Sequence, residues 1–269
     1  MFASNSLDSC ARVGQSPELG IGTHLPRQSA KKRKPTAMEY AGKELEIMSF
    51  ARNYYRWMMQ YFAPFIGEHV IEVGAGCGNV TDMLIHHGAK RIIALEPSDN
   101  MYGLLKDRFR HTPAVTTVKA NLSSGVLRPE ADADSVIYVN VLEHIERDFE
   151  ELLLVRRFLS DRGRLLIFVP ALPQLFGTFD SAVGHFRRYT KTGLLKLIRQ
   201  AGYDVLQCRY FDLPGAAAWW VLFRLLRRTT FTSHDIAFYD RYAVPVIQRL
   251  EQFIEPPVGK NLLLISQKL

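Results

Sequence analysis

Three glycines stand at alternate positions, Gly74, Gly76 and Gly78, directly behind an apolar run that ends at Val73. Glycine reaches left-handed backbone conformations and lets the chain approach a ligand closely. The stretch VIEVGAGCGNV, Val70 to Val80, therefore reads as the cradle for a phosphate or a nucleoside that the first strand-to-helix turn of a parallel sheet supplies. A dinucleotide fingerprint, G-x-G-x-x-G, would need its third glycine at the position of Asn79. What stands there instead is E-x-G-x-G-x-G, Glu72 to Gly78, with acidic Glu96 at the end of the next apolar run.

Two adjacent groups behind a later apolar run, Glu143 and His144, offer acid–base chemistry. An imidazole with an ordinary pKa of about 6.5 can take a proton from an oxygen, nitrogen or carbon acid at neutral pH. A carboxylate in the same place equally suits the start of a helix, where the dipole favours it, and for Glu143 that structural role is preferred. The 20 residues from Pro170 to Tyr189 gather Asp180, His185, Arg187, Arg188 and Tyr189. Structureless connections of that length are usually lids or binding loops. An arginine pair suits a carboxylate or phosphate on a substrate, or closes the loop onto the protein's own carboxylates. His86 and His87 are adjacent and no Cys/His ligand spacing recurs, so no metal site is expected.

These groups need elements to hold them. Leu45, Met48, Tyr55, Met58 and Phe62 keep the spacing of one helical face, and Pro64 ends the run. Strand-like and helix-like segments then alternate. The strands are His69–Val73, Arg91–Glu96, Thr116–Ala120, Ser135–Asn140 and Arg164–Pro170; the helices between them are expected at Asn79–His87, at Asn100–Arg110 and along the face Ile145, Phe149, Leu152, Val155 and Leu159. Such alternation predicts an α/β fold, a parallel sheet wrapped by helices on both faces. Its apolar runs, such as VIYV and LLIFV, fit strands buried on both sides. Thr190 is the expected N-cap of the next helix, and further strands are expected at Asp204–Phe211 and Asn261–Gln267.

The chain of 269 residues carries a formal net charge of +7. Residues 1–38 hold six basic and two acidic side chains, so the rest is nearly balanced, at +3. The tail is rich in Ser, Gly, Pro and Gln and is expected to be disordered. Its KKRK cluster is a nuclear-targeting or nucleic-acid patch or, preferably, a solvated segment. It has no signal-peptide core, and Met38 is a second candidate start. Three scattered cysteines suit a reducing compartment, and a cytoplasmic location is expected. The longest apolar run, Leu213–Phe223, has eleven residues, short of the roughly 20 that span a bilayer.

Taken in order, these motifs resemble those of class I S-adenosylmethionine-dependent methyltransferases, over most of Glu39 to Leu269. EVGAGCG resembles the family's first motif, LEPSDNM its second and NVLEHIERD its fourth, while RGRLLIFVPA and GHFRRYTKTGLLKLIRQAGY resemble a bacterial subgroup. The resemblance implies a Rossmann-like seven-stranded sheet whose last strand is antiparallel. It also implies that Glu72, Gly74, Ala75, Gly76 and Gly78, then Glu96, Pro97 and Met101, then Asn121, Leu122 and Asn140, hold the cofactor S-adenosylmethionine. Glu96 would accept the ribose hydroxyls, and Asn121 stands where the family often has an Asp for the adenine amino group. The fourth motif would face the reacting methyl, where His144 reads equally as a general base or as a helix-start residue, and His185, Arg187, Arg188 and Tyr189 of the 170–189 segment are candidate substrate contacts.

Between the sixth strand and the last lie 49 residues, Asp212 to Lys260, that read as helices. Their stripe with Trp219, Trp220, Arg224, Arg227 and Arg228 could meet a membrane surface or an apolar substrate, or pack on the core. The expected acceptor is a small or lipid-linked molecule, with peripheral membrane contact through residues 213–228. A non-catalytic cofactor- or partner-binding relative and a protein or RNA methyltransferase are the alternatives; the balanced body lacks the basic stripe that RNA requires. Deleting Met1–Ala37 should leave cofactor affinity and melting temperature nearly unchanged, because a disordered segment adds nothing to a core. Calorimetry and a melt of the truncated protein check this, and a fall of many degrees would show that the tail packs on the domain.

Overall fold

The computed structural model describes residues 51–129, 132–226 and 232–269. The basic tail, Leu45, Met48, Arg227, Arg228 and the side chain of Arg224 lie outside the described residues. Seven strands form one sheet: β1 His69–Val73, β2 Arg91–Leu95, β3 Val115–Val118, β4 Ala133–Val139, β5 Leu159–Pro170, β6 Tyr203–Phe211 and β7 Asn261–Lys268. Their order is β3-β2-β1-β4-β5-β7-β6. The first five run parallel, and β7 runs antiparallel to both β5 and β6. The chain moves outward from β1 to β3, then crosses back to lay β4 on the other side of β1. That reversal opens a crevice at the carboxyl ends of β1 and β4, where open sheets of this kind take ligands.

Both faces of the sheet are buried, as the apolar runs require. On β7, Leu262 and Leu264 join a core with Leu152, Val155, Leu194 and Ile198, whereas Leu263 and Ile265 join the opposite core with Trp57, Met58, Phe62 and Leu84. The helix Arg52–Phe62 supplies much of the second core, and Tyr55, Met58 and Phe62 are buried on it as the spacing predicts. A 3-10 turn, Ala63–Phe65, follows at Pro64.

Two expectations change. The helix expected from Ile145 to Leu159 spans only Asp148–Val155, because Leu142–His144 forms a 3-10 turn and Ile145 is extended (φ −100°, ψ 114°). Asp148, Glu150 and Glu151 then occupy the first turn, where the helix dipole favours acids, and Leu159 opens β5 instead. The segment 170–189, expected as a structureless loop, carries a 3-10 turn at Pro173–Leu175 and a helix at Thr178–Val183. Its base is pinched shut, with Tyr189 N–H donating to Pro170 O (2.9 Å) and Leu172 N–H to Tyr189 O (3.1 Å). Thr190 caps the helix Lys191–Gln200, its side chain accepting from Gly193 N–H. Between β6 and β7 the chain forms helices Leu213–Trp219, Ser233–Phe238 and Val244–Phe253, the first and second continuing into π-helical turns.

The glycine turn shows why its residue types are fixed. Gly74, Gly76 and Gly78 have φ of 73°, 57° and 84°. A Cβ on Gly74 would lie 2.4 Å from Val141 Cγ2, and one on Gly78 would lie 2.3 Å from Phe109 Cε2. At Gly74 and Gly78 the protein's own packing thus forbids a side chain whether or not a ligand is bound. Gly88 is also left-handed, but a Cβ there meets nothing within 4 Å. Gly78→Ala should therefore lose about 1–3 kcal/mol to overpacking beyond the backbone strain that Gly88→Ala alone incurs. Thermal melts of both variants check this; equal losses would show that Phe109 moves aside freely.

Candidate functional site

The carboxyl ends of β1 and β2 are tied together. Gly74 and Ala75 N–H groups both donate to Leu95 O at 2.8 Å. Glu96, next in the chain and buried, spans the two turns: Oε2 accepts from Gly76 N–H (2.8 Å) and Oε1 from Ser98 N–H (2.9 Å) and the Ser98 hydroxyl. Glu72, one residue before the end of β1, is also buried, and its Oε2 accepts from Thr81 Oγ1 at 2.5 Å. Burial, reinforced by the charge of Glu96, raises its pKa from 4.5 to about 8, against the opposing Thr81 bond. Ala75, Met101 and Leu122 are buried and Pro97 partly so, while Asn121 is exposed beyond β3. The structure thus brings the residues expected around a cofactor to one edge of the sheet.

At the end of β4, Asn140 adopts a left-handed φ of 53°. Its N–H donates to Phe168 O, and its Oδ1 accepts from Asn261 Nδ2 at 3.2 Å. Asn261 Oδ1 in turn accepts from the Tyr54 hydroxyl at 3.0 Å. The 3-10 turn Leu142–His144 follows, and it places Glu143 and His144 differently from an ordinary helix start. Glu143 is fully buried, and neither of its carboxylate oxygens is hydrogen bonded. Burial raises its pKa to about 8. His144 is partly buried, with its ring 4.6 Å from that of His185 and perpendicular to it. Burial and then His185 lower its pKa to about 4, although a bond with the Gly184 backbone opposes this. The ring is therefore neutral across the whole physiological range, rather than titrating near 6.5.

The segment 170–189 closes onto this turn. His185 Nδ1 lies 2.8 Å from Asp180 Oδ1, with Nε2 3.8 Å from Glu143 Oε1. Phe186 N–H donates to Glu143 O at 2.8 Å. Both arginines meet the protein's own carboxylates. Arg187 pairs with Asp148 (2.9 Å), and buried Arg188 donates through Nε to Asp180 (2.7 Å). The Tyr189 hydroxyl donates to Asp148 Oδ2 at 2.9 Å. Of the expected substrate-side group, His185 lies beside His144, whereas Arg187, Arg188 and Tyr189 hold the segment in place. Glu143, expected at a helix start, instead sits buried in a 3-10 turn, and Asn261 and Tyr54 were not singled out. No periodicity marks them, since the fold alone gathers them from distant elements.

The model of the family described as methyltransferase domain matches residues 39–208. The chain belongs to this family. It is an S-adenosylmethionine-dependent methyltransferase, and S-adenosylmethionine is its cofactor. No curated protein matches it by sequence. Among solved structures, an S-adenosylmethionine-dependent methyltransferase from Mesorhizobium loti is 14% identical, with a TM-score of 0.57 over 80% of this chain and 98% of that one. A possible histamine N-methyltransferase from Thermotoga maritima is 18% identical, with a TM-score of 0.56 over 84% of this chain and 96% of the other. The [4+2]-cyclase SpnF is 15% identical, with a TM-score of 0.55 over 81% of each chain. Likeness at that level shares a fold and leaves the acceptor open.

The methyltransferase should carry a pH signature of its buried Glu72. Its folded pKa, about 8, exceeds the ordinary 4.5. The folded state therefore binds the proton more tightly, and the stability this contributes is complete below about 4.5 and lost as pH rises through 8. Melting temperature, compared between wild type and Glu72→Gln, should diverge from pH 5 to pH 8.5, with the variant declining less. Parallel curves would show that Glu72 is ionised in the folded protein throughout.

Proposed function

We propose that the enzyme transfers methyl from S-adenosylmethionine to a small or lipid-linked acceptor whose nucleophile is met by His144 at the mouth of β4. The observation that carries this reading is Glu96, a buried carboxylate fixed between the glycine turn and the N-terminus of the next helix. Its Oε1 already accepts twice from Ser98, while Oε2 keeps a second lone pair for a ribose hydroxyl. Beside it Glu72 is a second carboxyl group, protonated at neutral pH by its raised pKa, and the ammonium and sulfonium charges of a bound cofactor would favour its ionised form. A buried carboxylate and an ionisable acid next to a left-handed glycine turn fit that group.

When bound, the cofactor supplies an activated methyl on sulfur. The protein's own part is mostly orientation, worth about 7–11 kcal/mol when reacting atoms are held in line. Gly74, Ala75 and Gly76 shape the cradle at the end of β1, and Glu96, with Pro97 behind it, fixes the ribose. Met101 and Leu122 form apolar walls. Asn121 presents a carbonyl acceptor, and Asn140, held by Asn261, sets the floor on the acceptor side. His144, neutral at pH 7, is able to receive the acceptor's proton at a ring nitrogen. His185, beside it, faces the same space, and Arg187, Arg188 and Tyr189 shape that wall through their carboxylate partners.

A lipid-linked acceptor draws support from the insertion. Trp220 is 49% exposed and Leu226 60% exposed at the end of the helix that follows β6, a pairing suited to peripheral contact with a membrane through residues 213–228. Among the described residues no helix is long and apolar enough to cross one.

Glu96→Ala should weaken binding of S-adenosylmethionine about tenfold or more, since hydrogen bonds to a charged group contribute roughly 1.5–3 kcal/mol. His144→Ala should keep that affinity while labelled methyl transfer into a cell-extract acceptor falls about 100-fold. Calorimetry and the transfer assay separate the two roles. Unchanged affinity in folded Glu96→Ala removes Glu96 from the cofactor site, and normal turnover in His144→Ala removes His144 from the chemistry.

A further inference from the structure

Three side chains converge where the turn after β4 meets the segment 170–189. Glu143, His144 and His185 each bring one nitrogen or oxygen atom within 4.8 Å of the other two. Ligands about 2.0–2.2 Å from a tetrahedral ion lie roughly 3.4 Å from one another, close to the 3.8 Å between His185 Nε2 and Glu143 Oε1. The spacing needs only a small contraction.

Glu143 is the residue that the protein alone does not account for. It is 0% exposed, and both carboxylate oxygens lack a hydrogen-bond partner. A buried carboxyl group without a hydrogen-bond partner is costly even when it is protonated. The nearby guanidinium groups are committed elsewhere: Arg188 donates to Asp180 and to Ala171 O, and Arg187 pairs with Asp148. His185 is oriented as metal-bound imidazoles are, with Nδ1 on the Asp180 carboxylate and Nε2 turned to Glu143. Asp180 is itself fixed by Arg188, so the outer partner of that imidazole is as rigid as the imidazole.

We propose that Glu143, His144 and His185 hold one divalent transition-metal ion, with Asp180 fixing His185 from behind. Two imidazoles and one carboxylate suit Zn²⁺, Fe²⁺ or Co²⁺. Three protein ligands leave positions for an acceptor oxygen, which ties the site to the methyl-transfer reading on which this inference rests. An acceptor hydroxyl on the ion loses its proton to water, and its oxygen bonds to the methyl carbon as the sulfur–carbon bond breaks, with no change of oxidation state. With the ion bound, this replaces the general-base role given to His144 in the metal-free protein: its ring nitrogen becomes a ligand, and the ion promotes deprotonation. The expectation of no metal site came from ligand spacing in sequence, where 41 positions separate His144 from His185.

The test is metal uptake by the full-length, chelator-stripped protein without any acceptor, using Co²⁺ for its visible absorption and Zn²⁺ for calorimetry. Wild type should take up one equivalent. Glu143→Gln and His185→Ala should weaken binding at least 100-fold, Asp180→Asn by about 10- to 100-fold, and the surface pair His86→Ala with His87→Ala should bind as wild type. Wild type that takes up less than one equivalent at micromolar metal overturns the proposal, and so does a folded Glu143→Gln that binds as tightly as wild type. Circular dichroism verifies folding, and if Glu143→Gln does not fold, His185→Gln decides the same point. S-adenosylhomocysteine binding, measured on the same samples, separates the two readings. Retained binding of that product without metal uptake rejects the metal site alone, while metal uptake without it rejects the cofactor reading alone.

Discussion

The segment 170–189 depends on one buried carboxylate, Asp180. Its Oδ1 takes Arg188 Nε–H at 2.7 Å and meets His185 Nδ1 at 2.8 Å, while Oδ2 accepts from Gly177 N–H at 3.0 Å. Burial alone would raise its pKa, but the bonds from His185 and Arg188 outweigh burial and hold it below the ordinary range. The charge is therefore permanent at neutral pH. Removing one partner of such a buried pair typically costs about 3–5 kcal/mol, because the other charge is left without compensation. Through this one group the helix Thr178–Val183, the orientation of His185 and the course of the chain to Tyr189 become a single structure.

What Asp180 fixes, neighbouring contacts carry onward. The Arg188 guanidinium lies 4.7 Å from the ring centre of Trp219, which also packs edge-on against Phe179 at 5.0 Å. The insertion after β6 is thereby fastened to the segment 170–189. On the other side Asp148 receives both Arg187 and the Tyr189 hydroxyl, so the helix after β4 is fastened to it too. The twenty-residue excursion, expected as a structureless lid or binding loop, is bound at its base, its middle and its end. The segment is thus a preformed wall, and a group docking on it would avoid the entropic cost of ordering a loop.

How much of this could be read from sequence follows from how local each feature is. The glycine turn and the strands that flank it rest on short-range signals, namely apolar runs and the spacing of the glycines, and were legible; the seven-stranded sheet with its antiparallel last strand was implied only by the family resemblance, and the strand order is a long-range feature. Glu96 was legible as a strand-end acid, but its double grip on Gly76 and Ser98 joins two turns and has no sequence signature. The helix after β4 was overextended because Ile145 has the right spacing for a helical face although its backbone is extended. Arg187 and Arg188 announced a charged site without saying whose carboxylates they meet. Glu143 was the hardest to read, since a carboxylate beside a helix start is usually solvated, and only the packing of the segment 170–189 over it removes the water.

The polar groups at the carboxyl ends of the strands also explain why β7 must be antiparallel for this site to exist. Running opposite to its neighbours, β7 begins at the edge where β4, β5 and β6 end, so its first residue, Asn261, reaches Asn140 and Tyr54 directly. Lys260, just before it, pairs with Asp212 at the end of β6 (3.2 Å) and lies 4.4 Å from the ring centre of Tyr54. Asp212 also accepts from the Tyr239 hydroxyl at 2.6 Å, which brings in the insertion. A parallel last strand would place these residues at the far edge of the sheet, roughly 25 Å away for a strand of eight residues. The reversed strand thus delivers an amide and an ammonium to the carboxyl edge of the parallel strands, and the helix Arg52–Phe62 and the insertion are held there by the groups those two residues bind.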